Sequence, residues 1–310
     1  QSFTNPYFLQ LYFTLRKINR IHKIKIIHSA PIYLTANLFA FQFSKKRNIP
    51  FICTPLFHIR SLGNYFFSPS FQYILRNTDA IIACTDYEKK FYQKYGIASE
   101  KIHVIPPGIE PKNYQKSSLS LFRQQYNIPN NAPLLFFLGR RSYTKGIMNV
   151  IYALNYLIKK FKNIILIIAG PSTYEYKMFQ KTIPQNLKKH IIDLGVIDES
   201  TKIEALSNCD VFLLPSLDDA FGIVYLEAWF FKKPVIGALE GNVAGLIDNN
   251  VNGLLIPFNN IKLLWLRIEE ILENKKQREV LGDNGYNKLI NNFLLKDTNK
   301  QMLDLYNKFT

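Results

Sequence analysis

Two short segments carry residue types that chemistry needs. In LLFFLGRRSYTKG an apolar run ends at Gly139, and Arg140, Arg141, Lys145 and Gly146 follow. A glycine lets a ligand approach the backbone. A planar guanidinium and a point-like ammonium neutralise a diphosphate, a leaving group that gathers charge in the transition state. Basic residues that cap a surface loop would give the same string. In LPSLDDAFGIVYLEAWFFKKPVIG an apolar run gives way to Asp218 and Asp219, a turn at Gly222 and a helical stretch carrying Glu227. At helical rise the stretch from Asp219 to Glu227 spans at most about 12 Å. That matches the reach of a nucleotide sugar, with one carboxylate on hexose hydroxyls, the other on ribose hydroxyls, and helix N-terminal amides facing the diphosphate. An N-cap aspartate and an ordinary helix-face glutamate would explain the same residues.

Both segments follow apolar runs, and such runs recur along the whole chain. Strands are expected at 24–30, 50–55, 80–85 and 102–107, with helices at 34–47 and 85–96 between them. A second series places strands at 134–139, 164–170, 193–197, 210–216, 234–238 and 253–258, with helices at 145–161, 176–190, 199–207 and 222–232 and two more at the C-terminus. Short apolar strands alternating with helices specify an α/β chain with parallel sheets covered by helices on both faces. Pro106, Pro107, Gly108 and Pro111 interrupt the pattern, and a polar stretch follows, so a domain boundary is expected around 112–130. In open sheets of this kind ligands bind beyond the carboxyl ends of strands, where both segments sit.

Composition narrows the function classes. The chain has 310 residues, 47% hydrophobic, with 24 Phe and 18 Tyr, which excludes disorder and suits two domains. No apolar run reaches the length of a membrane-spanning helix. Cys53, Cys84 and Cys209 lack CxxC spacing and suit buried thiols in a reducing, cytoplasmic compartment. The formal charge is +16, and residues 1–120 hold 16 Lys and Arg against 5 Asp and Glu. That excess favours an anionic partner. Nucleic acid is set aside because no recognition module accompanies the charge. Arg16, Lys17, Arg20, Lys23 and Lys25, interleaved with aromatic residues near the N-terminus, instead form an amphipathic helix that could lie on an acidic membrane surface; an outer helix with a solvated basic face is the alternative.

Taken together, these pieces resemble glycosyltransferase family 4, the group 1 retaining glycosyltransferases of GT-B fold. FLGRRSYTKG is similar to the family's phosphate-binding G-R-x4-K-G pattern, whose register selects Arg140 and Lys145 over Arg141. DDAFGIVYLEA is similar to the paired-acid E-x7-E motif, while IIAGP and LGVID match loops lining the nucleotide site. DAIIACTDYEKKFYQKYGIASEKIHVIPPGIEP resembles the end of the family's N-terminal domain and its hinge. The resemblance implies two facing Rossmann-like domains, 1–115 on the acceptor side and 116–295 binding the nucleotide sugar, with a helix over 296–310 returning to the first. It also implies transfer of a hexose, with retention and without a metal or other cofactor, to a saccharide or lipid-linked hydroxyl in surface polysaccharide or glycolipid synthesis. Arg140 and Lys145 would stabilise the leaving diphosphate, Glu227 the ribose and Asp219 the hexose, and His58 the reacting end. Gly139, Gly170, Val196, Phe221, Gly222 and Ile223 would line the donor. A noncatalytic sugar-nucleotide-binding or assembly protein of the same fold is the alternative.

The sequence departs from the family pattern at three points. Asp219 stands where the first Glu is usual, and in EGNVAGLIDNN the usual acid is replaced by Gly245, with Glu240 and Asp248 as nearby substitutes. The family's first strand and glycine-rich loop have no counterpart, so the N-terminal domain reads as shortened, in keeping with a chain that opens on Gln1. Thr85 and Glu88 read as a capping box, and His28 as structural; His103 and His190 belong to no constellation.

Overall fold

The computed structural model describes residues 7–31, 36–56, 68–114, 119–217 and 219–310. The chain divides into two compact units, one of residues 1–107 with 296–310 and one of residues 108–295.

In the first unit, β1 (Ile27–Ser29), β2 (Phe51–Cys53), β3 (Ala80–Ala83) and β4 (Ile102–Val104) form a parallel sheet in that order. The strands are short, and β2 and β3 are fully buried, as expected where helices cover both faces. One face packs against the helices Ala36–Arg47, Pro69–Asn77 and Asp86–Lys94 through Phe41, Ile74, Leu75 and Tyr92. On the other, Leu305 of the C-terminal helix Leu295–Asn307 meets Ile52, Ala80, Ile82 and Ile105. The N-terminal helix Tyr7–His22 lays Tyr12 on Phe43 and leaves Arg16, Lys17 and Arg20 exposed. Thr85 caps its helix by accepting from the Glu88 amide at 3.1 Å, while the Glu88 carboxylate reaches back to the Cys84 amide instead of that of Thr85. His28 is bracketed by the hydroxyls of Thr54 (2.7 Å) and Tyr306 (2.6 Å), which tie β1 to the C-terminal helix. The three cysteines are buried and unpaired.

The second unit contains β5 (Leu134–Leu138), β6 (Ile165–Ala169), β7 (Ile191–Gly195), β8 (Val211–Leu214), β9 (Val235–Ala238) and β10 (Leu254–Ile256) in one parallel sheet of order β10-β9-β8-β5-β6-β7. The apolar runs that form β8 and β9 are buried at every position. Several elements differ from the sequence expectation. β7 lies two residues earlier than 193–197, because Gly195 turns to φ +68° and its amide bonds the Asp193 carboxylate, ending the ladder. The helix expected over 176–190 is two, Tyr174–Thr182 and Gln185–Lys188, since Pro184 forces Ile183 into extended backbone. The polar stretch near the expected boundary contains a helix, Leu119–Gln125. Three C-terminal helices replace two: Asn274 ends Ile261–Glu273 and caps Lys275–Asn292 with its side chain, and Leu295–Asn307 follows.

Candidate active site

Within the second sheet the winding reverses at β5, which has β6 on one side and β8 on the other. The crossovers therefore leave in opposite directions, and a crevice opens beyond the carboxyl ends of β5 and β8. The segment after β5 is held by backbone bonds: the Gly139 amide donates to Ala169 O (3.0 Å) and that of Arg141 to Pro171 O (2.8 Å). Gly170, at φ +124°, donates to Gly195 O, and a Cβ on it would stand 2.1 Å from the Gly139 carbonyl oxygen. Three strand ends are thus stitched together with no side chain between Gly139 and Gly170, leaving a shelf of bare backbone. Val196, next along, is 76% exposed.

The two arginines have opposite fates. Arg141 is buried, placed 2.5 Å from the Asp193 carboxylate, with its guanidinium 5.3 Å from the Tyr176 ring centre. The Arg140 side chain is exposed. The turn Tyr143–Lys145 then meets the segment after β8, where the Leu217 amide donates to Thr144 O at 2.8 Å. This contact brings Lys145 and Asp219 together, Nζ to Oδ1 at 2.9 Å, with side chains 11% and 17% exposed. The second carboxylate oxygen of Asp219, Oδ2, is shielded from solvent and has no hydrogen-bond partner among the described residues. A buried acceptor in that condition costs free energy unless a ligand supplies a donor.

Phe221 is buried and Gly222, at φ +91°, caps the helix Ile223–Phe230 without a side-chain bond; the Tyr225 amide donates to Gly222 O (3.0 Å), which leaves those of Ile223 and Val224 ahead of it in the first turn, and Ile223 is exposed. The loop is pinned by Asn242, whose amide group donates to Ala220 O at 2.8 Å. The same helix presents Glu227, 5% exposed. Its Oε1 accepts from the Tyr114 hydroxyl (2.9 Å) and from Lys202 Nζ (2.7 Å), and Lys202 also reaches Glu199 (2.7 Å). Burial pulls the Lys202 pKa down, but the bonds to Glu199 and Glu227 outweigh it and leave the ammonium held above its ordinary value. Burial and then the Glu227 carboxylate raise the pKa of Tyr114, which keeps its proton as a donor.

Tyr114 and Lys202 were missed at the level of sequence. Tyr114 falls in the stretch that reads as a boundary, and the only signal for Lys202 was its helical i,i+3 spacing from Glu199. His58 and Asp218 lie outside the described residues. The two acids near the position where the family's acid is absent each have one oxygen engaged: Glu240 Oε2 accepts from the Phe258 amide (2.8 Å), and Asp248 Oδ2 from Lys288 and Asn252 (both 2.7 Å). Among the described residues no group of three His, Cys, Asp or Glu could hold a metal, and no helix is long and apolar enough to cross a membrane.

Comparison with known proteins places the chain. The family model for glycosyl transferases group 1 matches residues 120–288, and that for Glycosyltransferase Family 4 matches residues 2–113. The D-inositol 3-phosphate glycosyltransferase of Saccharomonospora viridis is 24% identical over 249 residues, 75% of this chain and 56% of that protein. The capsular polysaccharide biosynthesis glycosyltransferase CapM of Staphylococcus aureus is 26% identical over 212 residues, 65% of this chain and 53% of that protein. The chain spans about half the length of the curated relatives it matches. The crystal structure of Anabaena HepE in complex with UDP and glucose superposes with a TM-score of 0.81 at 20% identity, covering 99% of this chain and 84% of that one.

Proposed function

This chain belongs to the group 1 glycosyltransferases of glycosyltransferase family 4, with the GT-B fold, and on that footing we propose that it moves a hexose from a nucleoside-diphosphate sugar to a hydroxyl acceptor with retention of anomeric configuration. The observation that carries the reading is the Lys145–Asp219 pair at the sheet's switch point, beside the bare backbone of Gly139 and Gly170. A diphosphate laid on that shelf meets Arg140, Lys145 and the open amides at Ile223, which together neutralise the charge that grows as the sugar–phosphate bond breaks. The acceptor oxygen attacks the anomeric carbon on the face the diphosphate leaves, and the departing phosphate oxygen takes the acceptor proton. Cationic side chains and a helix end do here what a metal does elsewhere, so no metal is required. Asp219 Oδ2 takes a hexose hydroxyl, with Phe221 and Gly222 supplying backbone around it. Glu227 takes the ribose, Val196 and Ile223 border the nucleoside, and His58 is assigned to the reacting end.

The names of the S. aureus and S. viridis relatives support an acceptor among capsular saccharides or phosphorylated polyols. The exposed basic row Arg16, Lys17 and Arg20 supports delivery of a lipid-linked acceptor at an acidic membrane surface on the cytoplasmic side. The test supplies purified protein with UDP-, GDP- and ADP-hexoses and a lipid extract, in the presence of EDTA, and reads product anomeric configuration by NMR. Transfer with retention is expected. Nucleotide binding without transfer or hydrolysis across the whole panel would instead mark a noncatalytic binding protein.

A further inference from the structure

Glu227 is an unusual acid. A carboxylate that is 5% exposed has lost its hydration, and a buried charge is costly unless donors in the protein replace the water. The compensation arrives on one oxygen. Among the described residues Oε1 receives both the Tyr114 hydroxyl and the Lys202 ammonium, and Oε2 receives nothing. The two donors come from distant parts of the chain, Tyr114 from the segment that enters the second unit and Lys202 from the helix Glu199–Asn208. Tyr114 is itself fixed, its ring 5.2 Å from that of Phe230 and 6.3 Å from that of Phe231, and Lys202 Nζ stands 6.0 Å from the same ring. Lys202 is 14% exposed, and its second partner, Glu199, is 80% exposed, so Glu227 is the partner that removes the ammonium from water.

The consequence is geometric. A carboxylate oxygen has two lone pairs, and two donors saturate Oε1. The carboxylate plane cannot turn without breaking both bonds, which leaves Oε2 with two acceptor directions at a fixed angle. A single oxygen with two open acceptor directions suits a vicinal diol, whose two hydroxyls stand side by side.

We propose that Lys202 and Tyr114 are positioning residues that saturate one oxygen of Glu227 and so present the other to the 2′,3′-diol of the donor ribose. The inference rests on the reading of Glu227 as the ribose-facing acid. It adds that discrimination between ribose and deoxyribose resides in residues that never touch the sugar.

The test is titration calorimetry on the full chain with whichever of UDP, GDP or ADP the wild type binds, and with its 2′-deoxy counterpart. The wild type should prefer the ribonucleotide about tenfold or more. Lys202→Met should weaken the ribonucleotide about tenfold and the deoxynucleotide by less than threefold, collapsing the preference. Tyr114→Phe should do the same to a lesser extent, about threefold, and Lys202→Arg should restore most of the preference. A general structural role would weaken both nucleotides equally, and that result overturns the inference, as does a preference unchanged in both Lys202→Met and Tyr114→Phe. If Lys202→Met does not fold, Tyr114→Phe, which keeps the ring, decides the matter alone. Equal binding of the two nucleotides by the wild type, or binding of none of the three, would sink the earlier reading of Glu227 itself and is distinguishable from either outcome.

Discussion

The shelf at Gly139 and Gly170 can be tested by adding a single methyl group. Gly170 sits at φ +124°, and a Cβ there would lie 2.1 Å from the Gly139 carbonyl oxygen, a backbone atom that no side-chain rotation can remove. Gly195 lies at the end of the neighbouring strand with φ +68° and open space around its Cβ position. Gly195→Ala therefore incurs only the left-handed backbone term, about 1 kcal/mol. Gly170→Ala incurs a backbone term of roughly 1–3 kcal/mol and, for the forced separation of two strand ends, a further 1–3 kcal/mol, about 4 kcal/mol together. For a unit of this size each kcal/mol lowers Tm by roughly 2–4 °C. Gly195→Ala should thus melt about 3 °C low and Gly170→Ala roughly 8–16 °C low. Both tryptophans, Trp229 and Trp265, belong to the second unit, so intrinsic fluorescence follows its unfolding without interference from the first. Because the methyl displaces Gly139, Gly170→Ala should also lose affinity for a nucleoside diphosphate, measured well below its own Tm. If the two variants melt within about 3 °C of each other, the two strand ends are not in the contact described, and the bare-backbone shelf is wrong.

The remaining predictions concern charges. Lys145→Ala and Glu227→Ala should each lower kcat/KM at least tenfold, about 1.4 kcal/mol of transition-state stabilisation, and a variant with wild-type rates would remove its residue from the site. The two arginines should separate: Arg141→Met leaves Asp193 without its buried partner and should cost about 3 kcal/mol of stability, whereas Arg140→Met should keep the wild-type Tm and lose activity. His28, whose pKa burial holds below 6.5, gives a pH signature. As pH falls below about 6.5 the unfolded chain takes up the proton before the folded one does, so this contribution is complete above about pH 7 and is lost towards pH 5. Urea unfolding of the first unit, followed by circular dichroism at pH 7 and 5, should show that slope, and His28→Asn should flatten it; an unaltered slope would mean that other groups set it.

How much of this was legible in the sequence depends on the range of the interaction involved. Strands such as LLFFL and VFLL, buried at four of five positions and at all four, are readable because a buried parallel strand needs an apolar run, and a glycine or proline marks its end. The α/β winding rule drew attention to the segments holding Arg140, Arg141, Lys145, Asp219 and Glu227, and the family resemblance then selected Arg140 over Arg141 and paired Asp219 with Glu227. What failed was whatever a distant partner decides. The helix Lys275–Asn292, one more than the two expected at the C-terminus, contains Gly282 and Gly285, poor helix formers in isolation. They are accommodated because a Cβ at 282 would stand 2.0 Å from the Lys232 carbonyl oxygen and one at 285 would strike the Trp229 ring, so close packing on the helix Ile223–Phe230 and its end demands glycine at both.

The candidate site divides along the same line. A sequence can show that Glu227 is an acid on a helix, but the state of that acid depends on Tyr114, 113 residues away, and on Lys202, 25 residues away. Neither partner carries a motif of its own. Glu240 and Asp248, the acids close in sequence to the position where the family's acid is missing, each have one oxygen bonded, Glu240 to a backbone amide and Asp248 to Lys288 and Asn252. Proximity along the chain nominates candidates, and the burial and bonding of each oxygen distinguish them. Asp219 differs from both in burial: one oxygen is on Lys145 and the other is shielded from solvent without a partner among the described residues, which fits the hexose-side role proposed for it, as the open Oε2 of Glu227 fits the ribose-side role proposed there. Asp219→Asn tests the first half directly. It keeps the size and one acceptor but removes the charge facing Lys145, so donor binding should persist while kcat falls, and an unchanged kcat would mean that the unpaired oxygen meets no hydroxyl in the transition state.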